Sequence, residues 1–150
     1  MAKANESHAF LTKVAGEHRD LERRLNDLRD VVRGAEAEPA IGQALLTAIE
    51  LLTALREQMR LHFAEEVAGG AIEEAVGRLP RLAGQAAAIE REHPELLLRV
   101  NQTLELARQG ATSIEQWKQV RSSIEAFASQ MLAHEAIENQ LLQVGFNEDQ

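Results

Sequence analysis

Gln58-Met59-Arg60-Leu61-His62-Phe63-Ala64-Glu65-Glu66 returns 72 residues later as Gln130-Met131-Leu132-Ala133-His134-Glu135-Ala136-Ile137-Glu138, with Gln, Met, His, Ala and Glu identical at the same spacing. In each copy methionine, histidine and glutamate advance by three and then four positions. That step keeps side chains on one face of an α-helix. Each copy therefore predicts a helix with a histidine and a glutamate side by side, in places where an amphipathic pattern calls for Leu, Ile or Met.

A second phrase is also duplicated. Glu17-His18-Arg19-Asp20-Leu21 is answered by Glu92-His93-Pro94-Glu95-Leu96, 75 residues on. The small difference between the two offsets is taken up in connections. The chain thus reads as two similar helical hairpins related by a pseudo-two-fold axis, each contributing two histidines and one glutamate.

The same alternation extends outward from these phrases. Leu11, Val14, His18, Leu21, Leu25, Leu28 and Val32 share one face and predict a first helix over about 6–33. Ile41, Leu45, Ala48, Leu52, Leu55 and Met59 lead into His62 in a second, over about 40–68, with Pro39 at its start and Gly69-Gly70 as its stop. A short helical piece is expected over 71–78. Leu79, Leu82, Ala86, Ile89, His93, Leu96, Val100 and Thr103 predict a third long helix over about 79–109, with a kink or a break at Pro94. Thr112 to Glu115 offers a capped start for a fourth over about 113–143, and the tail from Gly145 is expected to be loosely ordered. Four amphipathic helices with brief connections pack most simply as an all-α, up-down-up-down antiparallel four-helix bundle.

Composition agrees with this reading. The chain has 150 residues, 45% hydrophobic, with no tyrosine and only three prolines, which favours one helical domain spanning 1–150. A net charge of -8, with basic residues dispersed among acids, argues against nucleic acid and anionic membrane as partners. The absence of cysteine excludes disulfides, iron–sulfur clusters and thiolate zinc sites, so any metal must sit on nitrogen and oxygen. No apolar run suits a signal peptide or a membrane span, and a cytoplasmic protein is the expectation.

Six ionisable residues thus fall on the seams: His18, His62, Glu66, His93, His134 and Glu138. An isolated carboxylate in an apolar interior costs several kcal/mol or forces protonation, so two buried glutamates among four imidazoles demand a cation. Mixed imidazole and carboxylate donors suit Fe, Mn or Zn. Met59 and Met131 are read as core, Gln58 and Gln130 as either exposed or orienting partners of the histidines, and Glu22 as a surface residue or outer partner beside the seam. Glu90 makes an E-x-x-H pair with His93 of the ferritin-like type that does not recur, and Glu65 and Glu135 flank the seam with no site to serve. His8 is expected to face solvent.

A histidine on the first helix, H-x-x-x-E on the second, a histidine on the third and H-x-x-x-E on the fourth resemble the hemerythrin-like, HHE cation-binding domain. That resemblance implies two iron ions with an oxo or hydroxo bridge. Glu66 and Glu138 would bridge them, His18 and His62 would cap one, and His93 and His134 the other. It also implies a small ligand such as oxygen, nitric oxide or peroxide, in a stress response or in repair of iron centres. The alternative is an iron or oxygen sensor, or a metal store, without turnover. Oxygen-carrying hemerythrins have a further histidine one turn after the third-helix ligand. Leu97 stands there in this chain, which argues against simple oxygen carriage.

Overall fold

In a computed structural model of the chain, residues 2–67 and 70–147 are described. Four long helices, α1 (Ala2–Arg33), α2 (Ala40–Val67), α4 (Ala83–Arg108) and α5 (Ile114–Phe146), are joined by short connections and by a short helix α3 (Ala71–Arg78). Consecutive helices lie side by side, α1 on α2, α2 on α4 and α4 on α5, and α5 closes the ring on α1. The result is an all-α four-helix bundle. No strand occurs among the described residues, and no helix among them is long and apolar enough to cross a membrane.

Local sequence explains the helix ends. Ser113 caps α5 by accepting a hydrogen bond from the Gln116 backbone N–H (3.1 Å), while Gln116 Oε1 accepts from the Thr112 backbone N–H (2.6 Å). The capping pair is therefore Ser113 with Gln116, one residue later than the Thr112–Glu115 pattern suggests. The third long helix starts later than expected. Leu79, held extended ahead of Pro80 (φ -129°, ψ 89°), interrupts the helical path, and Pro80–Leu82 form a 3-10 turn before α4 begins at Ala83. Pro94 does not break α4, which is helical from Ala83 to Arg108. Gly145 and Phe146, expected in a loose tail, belong to α5, whereas residues 148–150 lie outside the described set. The same holds for Gly69 and for the side chain of His8.

The interior has three levels. The main apolar cluster draws Leu21, Leu25 and Leu28 from α1, Leu52, Leu55 and Met59 from α2, Leu96 and Val100 from α4, and Ile124, Phe127 and Met131 from α5. At its far end the buried Trp117 donates its indole N–H to the Ala35 carbonyl (2.9 Å), which ties the α1–α2 connection to α5. A smaller apolar cluster holds Ile72, Ala75, Leu82, Ala86, Ile89, Leu141 and Leu142, flanked by Leu11 and Val14. Between the two lie the buried ionisable residues. Because α2 ends beside them, α3 takes its place in the smaller cluster, packing mainly on α5.

Helix α3 packs tightly on α5 at Gly145, where a Cβ would stand 2.5 Å from Ala75 Cβ and 3.0 Å from its Cα. Glycine to alanine inside a helix normally stabilises by about 1 kcal/mol. Here the clash reverses the sign, and Gly145→Ala is expected to destabilise the chain by about 1–3 kcal/mol. The midpoint of urea unfolding checks this, and a raised midpoint would contradict the packing.

Candidate metal centre

All six seam residues meet in the middle level, one histidine each from α1 and α4 and a histidine–glutamate pair each from α2 and α5. His18, His62, Glu66, His93, His134 and Glu138 are all buried, Glu138 completely. Their arrangement follows the duplicated sequence. Glu66 presents Oε1 to His62 Nε2 (2.5 Å) and Oε2 to His93 Nε2 (3.1 Å), while Glu138 presents Oε1 to His18 Nε2 (3.0 Å) and Oε2 to His134 Nε2 (3.6 Å). Each glutamate therefore spans the two halves, with one oxygen facing a histidine of each hairpin. One donor atom apiece from His18, His62, Glu66 and Glu138 lies within 4.8 Å of the others, and the same holds for His93, His134 and Glu138.

The histidines are held with Nε2 inward. His62 Nδ1–H donates to Glu17 Oε2 (3.1 Å) and His134 Nδ1–H to Glu92 Oε2 (3.2 Å), while His18 Nδ1–H donates to Asn139 Oδ1. An imidazole whose Nδ1 carries the donated proton leaves the Nε2 lone pair free, which is the tautomer a metal takes. Glu17 and Glu92 open the two duplicated phrases. Each therefore orients the histidine of the neighbouring helix while the residue after it points into the centre. Gln58 does not do this work: it accepts from Arg24 Nη1 (2.7 Å).

Sequence reasoning also set Glu135 aside, and the structure corrects this. Glu135 is 4% exposed, with Oε2 3.0 Å from His18 Nε2 and Oε1 3.9 Å from His62 Nε2. It lies one residue past His134, about 100° around the helix from it, where it faces His18 of α1 and His62 of α2. The signal available was its place immediately after a candidate ligand. By contrast Glu22, Glu65 and Glu90 are exposed, and Leu97 is half-buried against the main apolar cluster.

The electrostatics record an unbalanced layer. Burial raises the Glu135 carboxyl to about 8 against the pull of the His18 and His62 charges, with Glu138 and Glu66 adding repulsion. Burial opposes charge on His62 as well, yet the carboxylates of Glu138 and Glu66 raise it to about 11. Glu138 also resists burial and is driven well below the usual carboxylate range by hydrogen bonds from His18 and His62. His134, which has weaker carboxylate support, is lowered by burial. Both oxygens of Glu66 and Glu135, Oε2 of Glu138, and Nε2 of His93 and His134 are buried without a hydrogen bond. Seven such atoms around one small space, from a set of nitrogen and oxygen donors, fit a bound transition metal, which would satisfy them together.

A family model, the hemerythrin HHE cation binding domain, matches residues 9–143. No curated protein and no solved structure matches the chain.

The orienting role of the two outer glutamates is open to measurement. Loss of such a partner typically weakens metal affinity about 10- to 100-fold, and that range is expected for Glu17→Ala and for Glu92→Ala separately. Competition with a chelator of known affinity reads it, and unchanged affinity in both variants would remove these carboxylates from the centre.

Proposed function

We propose that this chain, which belongs to the hemerythrin HHE cation-binding domain family, holds a pair of iron ions that handle a small ligand such as oxygen, nitric oxide or peroxide. The observation that carries the reading is the paired geometry of Glu66 and Glu138, each with its two oxygens facing histidines of different hairpins. A carboxylate so placed suits two ions better than one. In this reading His18 and His62 hold one ion, His93 and His134 the other, and the two glutamates bridge them. Bound iron would supply a redox-active centre with room for an exogenous ligand.

The chain's own residues account for the rest. Glu17, Glu92 and Asn139 keep three imidazoles in register, so the donors are organised before metal arrives. Leu21, Leu96, Met59 and Met131 seal the centre from the main core side, and Ile89 and Leu141 seal it from the other. A low-dielectric surround of this kind limits water and strengthens each charge interaction within it. Approach is supported from one flank. A 380 Å³ cavity between α1 and α5, lined by Leu11, Val14, His18, Asn139, Leu142 and Phe146 among others, reaches the His18 side of the centre and is large enough for a diatomic molecule.

Iron-loaded protein is expected to contain about two irons per chain, coupled magnetically as seen by Mössbauer spectroscopy, and to melt higher than the metal-free chain, by about 2.7 kcal/mol of added stability for each bound ion at a hundredfold excess over its dissociation constant. Glu66→Ala or Glu138→Ala should abolish the coupled pair. Two coupled irons in both variants would refute the bridging assignment, and a purified protein that takes up no iron would refute the function.

A further inference from the structure

The pseudo-two-fold axis fails at a buried position directly beside the seam histidines. It relates His62 to His134 and Glu66 to Glu138, and so relates Phe63 to Glu135, an apolar ring to a carboxylate. Both side chains are 4% exposed. Both also lie in the equivalent place, against the histidines of the opposite hairpin. The Phe63 ring stacks on His93 (centroids 4.0 Å apart, planes at 4°) and meets His134 edge-on at 5.6 Å. Glu135 instead directs its two oxygens at Nε2 of His18 and His62, at 3.0 and 3.9 Å.

An aromatic ring in that place is satisfied by stacking and needs nothing further. A carboxylate is not. Neither Glu135 oxygen has a hydrogen bond, and among the described residues no arginine or lysine is paired with it. Removing a carboxylate from water costs several kcal/mol, and the neutral imidazoles needed for metal binding do not repay it. A cation on His18 and His62 would lie beside both oxygens.

We propose that Glu135 is a seventh protein ligand, supplied to the ion held by His18 and His62 alone, so that the two metal positions differ in donor set and fill in order. The inference rests on the two-ion reading. The His18/His62 position has two imidazoles and three carboxylates, whereas the His93/His134 position has two imidazoles, the two shared glutamates and a wall made by Phe63. The first position carries more negative charge and more oxygen donors, and takes the first divalent ion.

Anaerobic titration of the full-length metal-free chain with Fe(II), against a competing chelator, tests this. Wild-type chain is expected to bind two ions in two resolved steps. Because loss of a partner that merely orients a ligand already costs about 10- to 100-fold, Glu135→Gln is expected to weaken the His18/His62 position by about 100-fold or more. The His93→Ala chain isolates that position and should show the full loss when Glu135→Gln is added. The His18→Ala chain leaves the other position, whose affinity Glu135→Gln should leave essentially unchanged. Glu135→Gln replaces the carboxyl by an uncharged amide of nearly the same shape, and circular dichroism of the metal-free variant should match wild type. Equal loss in both histidine backgrounds, or no loss in either while wild type binds two ions, would overturn the assignment of Glu135. Wild-type binding of one ion or none would overturn the two-ion reading itself.

Discussion

The rest of the structure depends on a single layer of buried charge. Glu66, Glu135 and Glu138 stand among four imidazoles between two apolar clusters, too far from water for any carboxylate to be solvated as it would be at the surface. With neutral histidines the layer carries three negative charges. One divalent cation leaves it negative, and a pair brings it past neutrality by a single charge, which a small anionic ligand would offset. Without metal the layer balances itself with protons: burial pushes Glu135 up, while the neighbouring carboxylates push His62 up and the histidines hold Glu138 down, each against the effect of its own burial. A metal bound here would compete with protons for the same atoms, so filling the centre and releasing protons would be one process.

That layer explains features otherwise without purpose in a helical bundle. Side chains one residue apart on a helix point about 100° apart, so in the phrases Glu17-His18 and Glu92-His93 the histidine turns inward while the glutamate reaches the neighbouring helix. Within each hairpin, the first long helix therefore carries one seam histidine together with the carboxylate that orients the histidine of the second. The arrangement repeats because the phrase repeats. The two hairpins do not need to be identical elsewhere, and they are not: Asn139 Oδ1 accepts from His18, whereas the equivalent residue on α2 is Val67, which has no polar side chain to offer.

The bundle and the six seam residues were legible in the chain because both obey the helical period. A ligand four residues from another on one face announces itself, and duplication makes coincidence implausible. Residues that reach the centre from beside the seam follow no such rule. Glu135 looks like one more charged residue on a solvated face, and its counterpart Phe63 looks like core, so comparing the halves conceals both. Glu17 and Glu92 were visible as repeats, but their targets lie on other helices, which spacing along one helix does not reveal. The late start of α4 depends on the extended residue before Pro80, and the helical end of α5 depends on α3 packing against Gly145. Both are tertiary effects.

Placing the layer near one end of the bundle divides its stability unequally. The main apolar cluster is continuous across four helices, and each fully buried leucine in it contributes about 1.5–3 kcal/mol whether or not the centre is filled. The smaller cluster lies beyond the charged level and relies on α3 to stand in for the missing turns of α2. Repulsion among uncompensated carboxylates acts directly on α2 and α5, and α3 docks against both. A cation bound in the layer would therefore do more than satisfy its ligands. It would pull together the helix ends on which the smaller cluster is built, and so couple occupancy of the centre to the order of the end of the bundle that shields it.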